Sequence, residues 1–171
     1  MTGAVDPPRS GAMMATMERE ATQDRLGREA FVSLVLAANQ FGEQIEQVCQ
    51  RDGISHAQYT VLWVLCLADA PGGLPMGAIA DGLLTRAADV TRLVDRLVSA
   101  GHLQRSASDT DRRVVLVEPT ASGRAVFDRV TEQVKALHRQ QFAGFSIAEL
   151  RELTRLLNRT RLSASAVDLA T

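Results

Sequence analysis

Two stretches of the chain concentrate side chains that can do chemistry. In "TRAADVTRLVDRL", residues 85–97, Asp89, Arg92 and Arg96 recur at steps of three and four, with Arg86 one turn earlier. In "SDTDRRVVLVEPTASG", residues 108–123, Asp111, Arg112 and Arg113 stand directly before an apolar run and a proline. A guanidinium offers a planar fork of donors that can bond guanine bidentately or clamp a phosphate. Thr85, or the first free amides of a helix beginning there, can hold a phosphate at the helix N-terminus. Arg86, Ala88, Asp89 and Arg92 would face the ligand, with Arg96 one turn on along the same face. A carboxylate such as Asp89 repels phosphates unless it accepts from cytosine N4 or orients a neighbouring arginine. The plainer alternative is a solvated helix face, with Asp89 merely paired to Arg92, and an exposed hairpin turn.

Other chemistries find little support. His56, His102 and His138 lie in separate segments without metal-ligand spacing, so no metal is expected. Cys49 and Cys66 form no C-x-x-C, and "LWVLCL" around Cys66 reads as buried and inert, which leaves thiol-based redox sensing as a minor alternative. No Ser/His/Asp grouping or phosphate-cradling glycine loop appears, so neither an enzyme nor a cofactor is expected. Phe41, Tyr59 and Trp63 are a separate case in a chain with 4% aromatics. They could line a site for a small aromatic ligand where the first two helices meet the following lobe, with His56 or Arg51 as polar anchor; core packing is the competing reading.

The elements that must position these groups follow from periodicity and breakers. Residues 1–20 hold Gly, Pro, Ala and Met without periodicity and read as a flexible tail. Phe31, Leu34, Ala38, Phe41, Ile45 and Val48 then form one helical stripe that Gly53 ends. Ser55 and Gln58 stand in capping-box relation before an apolar helix running to about Asp69. "APGGLP" breaks the chain, and two shorter helices follow, from Met76 to about Leu83 and from Arg86 to about Ala100, closed by Gly101. "HLQRSA" and "RRVVLVEP" around a polar turn read as a β-hairpin ended by Pro119. Thr120 caps a long helix striped by Phe127, Val130, Val134 and Leu137, and Ser146 with Glu149 starts a last one, with Phe145 able to staple onto Leu150.

The expected fold is therefore mostly α with a small β-hairpin wing: a winged helix-turn-helix over residues 55–124, a dimerisation helix over 21–54, C-terminal dimerisation helices over 125–165 and a tail over 166–171. With 171 residues and 46% hydrophobic content, one domain with an appendage is the prior. A formal net charge of −1 excludes a histone-like polycation, so contact with nucleic acid must come from local placement of charge. Nearly all the cations are arginine, Lys135 being the only lysine. No apolar run reaches the roughly 18 residues of a membrane span, and a cytoplasmic protein is expected.

The segment from Met76 to Val126 resembles the MarR family of bacterial transcription regulators most clearly, within a resemblance that covers residues from about 25 to 165. The likeness is carried by "VTRLVDRL" and by a wing pattern that here runs Asp111, Arg113, Thr120 and Gly123, with Pro119 where the family has leucine. It implies a homodimer on a pseudo-palindromic double-stranded operator, acting as a repressor and released by a small aromatic or phenolic effector. It also implies that a wing arginine, held by Asp111, enters the minor groove, where narrow A·T tracts concentrate negative potential. Which of Arg112 and Arg113 inserts is open. A winged helix used for protein contact without DNA is the main alternative.

Overall fold

The computed structural model describes residues 10–68, 70–83, 89–108 and 113–166. The chain divides into two compact units, residues 1–56 and 57–171. The first is dominated by α1, Ser10–Arg51. From residue 10 on this corrects the expectation of a flexible tail over residues 1–20, whose first nine positions lie outside the described residues. "AMMATMEREATQDR" lacks apolar periodicity, yet Ala, Met, Glu, Gln and Arg are strong helix formers and no breaker interrupts them. Arg25 and Glu29 add an i,i+4 ion pair at 2.8 Å. The stripe expected on α1 divides: Val48 is buried and Phe41 and Ile45 half-buried, while Phe31 and Leu34 are exposed. Gly53 ends the helix at φ 75, in the left-handed region.

The second unit holds almost all of α2 (His56–Leu67), then β1 (Leu74–Pro75), α3 (Met76–Gly82), α4 (Val90–Ser99), β2 (Leu103–Ala107), β3 (Val115–Pro119), α5 (Ala121–Gln141) and α6 (Ile147–Ala166). The hairpin is present, but it belongs to a three-stranded antiparallel sheet of order β1-β3-β2. Leu74 pairs with Val117, and Leu103 to Ala107 pair with Pro119 back to Val115. The segment "APGGLP" thus does more than break the chain. Gly73, at φ 92, brings its backbone so close to the Val117 carbonyl that any Cβ would collide with it. Only glycine lets β1 reach β3 there.

The helices α2 to α5 each bury an apolar face, whereas α6 leaves Ile147, Leu156 and Leu157 exposed. Val61, Leu62, Ile79, Val94, Leu97, Leu103, Val117 and Val130 have 2% exposure or less and form its core. In β3 the alternation is visible: Val117 and Pro119 are buried, Leu116 and Glu118 beside them are half-buried, and Val115, on the same face as Val117 but nearer the hairpin tip, is exposed.

The hairpin returns to the helices through a tight junction. Thr120 Oγ1 accepts from the Gly123 amide (3.0 Å) as N-cap of α5 and donates to the Gly101 carbonyl (2.7 Å). The Thr120 amide donates to the His102 carbonyl at 3.0 Å. Gly123 lies against that same carbonyl, with no room for a Cβ. Ser146 and Glu149 form the expected capping box, the Ser146 amide donating to Glu149 Oε2 at 2.8 Å and the Glu149 amide to Ser146 Oγ at 3.3 Å. Phe145 meets Phe142 edge to face, ring centres 5.9 Å apart, at the turn into α6.

Gly123→Ala should lower unfolding free energy by about 1–3 kcal/mol, the usual cost of forcing atoms into filled space. Gly144→Ala, where an added Cβ meets nothing within 4 Å, should change it little. Urea titration of both variants checks the pair.

Candidate nucleic-acid interface

The described part of the interface rests on α4 and the hairpin. Val94 and Leu97 are fully buried, which turns Arg92 and Arg96 outward on the opposite face. The Arg92 side chain is 78% exposed. Thr85, Arg86, Ala88, Asp111 and Arg112 fall outside the described residues. Arg113 is exposed on the return of the hairpin, where Ser108 N–H bonds the Val114 carbonyl at 3.0 Å and extends the ladder beyond the strands.

Asp89 is not a member of the helix face. Its backbone (φ −154, ψ 73) is non-helical, and its Oδ1 accepts from the Arg92 amide at 2.9 Å, so α4 begins at Val90 rather than Arg86. The physical reason is capping: an aspartate satisfies an orphan amide of the first turn and places its charge against the positive end of the helix dipole. Its second oxygen lies 3.3 Å from Arg92 Nε. Asp89 therefore holds Arg92 at both main chain and side chain. A carboxylate out of place among arginines becomes the group that orients one of them.

A further pair escaped the sequence reading. Arg105 on β2 donates from Nη2 to Asp95 Oδ1 on α4 at 2.5 Å. The two are ten residues apart across a helix, a turn and a strand, a separation no single periodicity connects. Only the register of β2 against α4 reveals it. On the outer face of the hairpin, Gln104 donates to Glu118 at 2.8 Å across the strands.

Outside this surface the reactive groups are quiet. Burial, with Glu46 and Asp52 adding like charge, pushes the Cys49 thiol up to about 12. Burial likewise raises the Cys66 thiol, against a lowering contribution from Arg124. His102 Nδ1 meets Ser122 Oγ at 3.2 Å, and His138 Nδ1 meets Gln141 Oε1 at 2.9 Å. Among the described residues no cluster of three His, Cys, Asp or Glu could hold a metal. No helix there is long and apolar enough to cross a membrane.

The four residues considered for a small ligand are divided between the units, Phe41 and His56 in the first, Tyr59 and Trp63 in the second. Burial lowers the His56 imidazole below its ordinary range, opposed by the Glu46 carboxylate, whose Oε2 accepts from the His56 amide at 2.6 Å. Tyr59 is buried, its ring stacked on Phe127 at 6.0 Å and its hydroxyl 3.2 Å from Thr131 Oγ1. Trp63, by contrast, is 36% exposed.

Comparison with known proteins agrees with this geometry. The family model described as "MarR family" matches residues 52–114, the stretch from the end of the first unit to the hairpin. The HTH-type transcriptional regulator PecS of Dickeya dadantii is 30% identical over 115 residues, 67% of this chain and 69% of PecS. This chain belongs to the MarR family. The transcriptional activatory protein BadR of Rhodopseudomonas palustris, 25% identical over 138 residues, covers 80% of this chain and 79% of its own. The crystal structure of a mutant E. coli MarR complexed with operator DNA aligns with a TM-score of 0.68 and 25% identity, over 80% of this chain and 93% of that one. The protein is a MarR-family transcription regulator with a DNA-binding winged helix.

Two outcomes follow for the MarR-type module. Asp89→Ala should cost about 1 kcal/mol of stability through loss of the cap, and Asp89→Asn, which still caps, much less. Chemical denaturation of the two variants measures the difference. The Cys49 thiol ionises in the unfolded chain near 9 but in the native protein only near 12, so native stability is intact below 9 and falls as pH rises through that window. Denaturation midpoints from about pH 8 to about pH 10.5 should therefore decline less steeply in Cys49→Ala than in the parent.

Proposed function

We propose that the chain is a homodimeric repressor. It occupies a pseudo-palindromic operator whose half-sites lie about one helical turn apart, or a small multiple of that, and excludes polymerase from nearby genes. The observation that carries this reading is the outward arginine face of α4, with Arg92 pre-oriented by Asp89, in the same compact unit as a hairpin bearing Arg113. Thr85, Arg86, Ala88, Asp89, Arg92 and Arg96 serve the major groove: Thr85 holds phosphate, Asp89 aims Arg92, and the arginines read guanine or clamp the backbone. Asp111, Arg112 and Arg113 form the wing that reaches the adjacent minor groove.

Dimerisation is supported by apolar surface that each chain leaves uncovered. Phe31 is 66% exposed on α1 and Ile147 71% on α6, accompanied by Leu34, Val35, Leu156 and Leu157. Single exposed apolar residues are ordinary, but rows of them on the terminal helices fit a twofold interface. Release of DNA comes from a small aromatic effector that favours a dimer with unsuitable spacing of its two α4 helices. Trp63 supports this part of the reading as an exposed aromatic surface, since the Tyr59 ring and hydroxyl are already engaged in packing.

Selection from random duplexes at two salt concentrations tests the reading. The retained pool should converge on a palindrome, with log affinity falling linearly with log salt concentration. Retention without a consensus removes the proposal. Arg92→Ala should weaken the selected site by about 1–3 kcal/mol and relax specificity at one base position. Arg113→Ala should weaken it by a comparable amount, and unchanged affinity in both variants sinks the assignment of helix and wing. Sedimentation should give twice the 18.5 kDa chain mass, and Phe31→Asp should shift it towards the monomer.

A further inference from the structure

The Arg105–Asp95 pair is the ion pair that bridges α4 and the hairpin among the described residues, and its placement is unlike that of an ordinary surface pair. The other ion pairs described there join residues three or four apart within one stretch of helix or its cap. This one joins two elements that the preceding reading sends into different grooves of the same duplex. Asp95 follows Arg92 by one turn and its side chain is half exposed, so unpaired it would present negative charge beside the surface that meets phosphates. Arg105 is 36% exposed and so has less access to solvent than Arg92 at 78%.

We propose that Asp95 and Arg105 are positioning residues. The pair fixes the angle of β2, and with it the wing, against α4, so that helix and wing address DNA as one body, while Arg105 itself does not bind phosphate. This rests on the reading that α4 and the wing are the DNA-contacting elements. Two consequences separate it from the alternatives. Exposed ion pairs contribute little to global stability, so the melting temperature should hardly respond to the loss of this one. What should respond is the discrimination that depends on simultaneous entry into two grooves. Non-specific attraction, set by counterion release, should not change if Arg105 touches no phosphate.

The test uses the full-length protein, the duplex selected by the parent and a scrambled duplex, read by fluorescence anisotropy across a salt series. Asp95→Asn and Arg105→Gln should each lower affinity for the selected duplex by about tenfold, as coupled pairs in contact commonly do. Affinity for the scrambled duplex and the salt slope should stay as in the parent. The exchanged variant Asp95→Arg/Arg105→Asp should recover most of the loss, which a role in packing or in phosphate contact would not produce. A slope reduced by about one in Arg105→Gln, with affinity raised in Asp95→Asn, would identify Arg105 as a phosphate ligand and overturn the proposal. Should the parent itself select no duplex, the DNA-contact reading fails separately. The pair is then judged by hydrogen exchange: β2–β3 amides must quicken in both single variants and slow again in the exchange, and unchanged rates overturn it.

Discussion

Everything that makes the hairpin usable depends on the junction at Thr120. Its hydroxyl accepts from the Gly123 amide and donates to the Gly101 carbonyl, while its amide bonds the His102 carbonyl. Three elements meet there: the end of α4, the exit of β3 and the start of α5. A hydroxyl is the smallest side-chain group able to donate and accept at once, so a threonine can close the gap between a helix C-terminus and the next helix N-terminus without intervening water. Gly123 completes the junction by leaving out the one atom that would hold α5 away from His102. Each bond is worth only about 1 kcal/mol, but together they restrict where a two-stranded ribbon can leave the helical body.

Charge on the reading surface is arranged in pairs rather than massed. The chain carries a formal net charge of −1, and on α4 each exposed arginine has an aspartate nearby in sequence. A bare arginine cluster would attract DNA more strongly and from farther away, yet it would leave long side chains to be ordered on binding, at roughly 0.5–1.5 kcal/mol each. Holding Arg92 by Asp89 removes part of that cost beforehand. It also forfeits some non-specific attraction, which is the quantity that a reader of particular sequences gains by reducing. Local charge placement, rather than overall basicity, is therefore what the composition and the geometry jointly describe.

Local signals were the legible part of the sequence. The caps made by Thr120 on Gly123 and by Ser146 on Glu149, and the helix ends at Gly53 and Gly101, are set within a few residues, and all four do what their types predict. The apolar stripe of α5 was also readable: of Phe127, Val130, Val134 and Leu137 the first three are buried and Leu137 half-buried, while buried Val126 lay outside the stripe. What escaped depends on partners distant in sequence. β1 is a two-residue strand that exists only because β3 lies beside it, and Gly73 looked like a breaker because its reason lies at Val117. The Arg105–Asp95 pair was hidden for the same cause. Asp89 was missed differently: helical spacing cannot tell a residue on a helix face from the cap that precedes it, and the aspartate side chain favours the cap. At the candidate site, helix, hairpin and arginine face were readable, whereas the orientation of each guanidinium was not.

The first unit sets a condition on the whole molecule. Every described side chain from Met13 to Leu36 on α1 is exposed, including Leu26, Phe31 and Val35. Isolated helices are marginal in water even when their composition is favourable, because helical stability in proteins comes mostly from tertiary packing of an apolar face. Helix-forming residues alone can write this stretch as a helix, but they contribute only tenths of a kcal/mol each over coil. A long helix with uncovered apolar groups therefore gains most of its persistence from whatever covers it. If that is a second copy, as proposed, ordering of α1 and association are one equilibrium, and the effective stability of the first unit rises with protein concentration. Operator affinity would then carry the same dependence, because two half-sites can be engaged together only after that equilibrium has been satisfied.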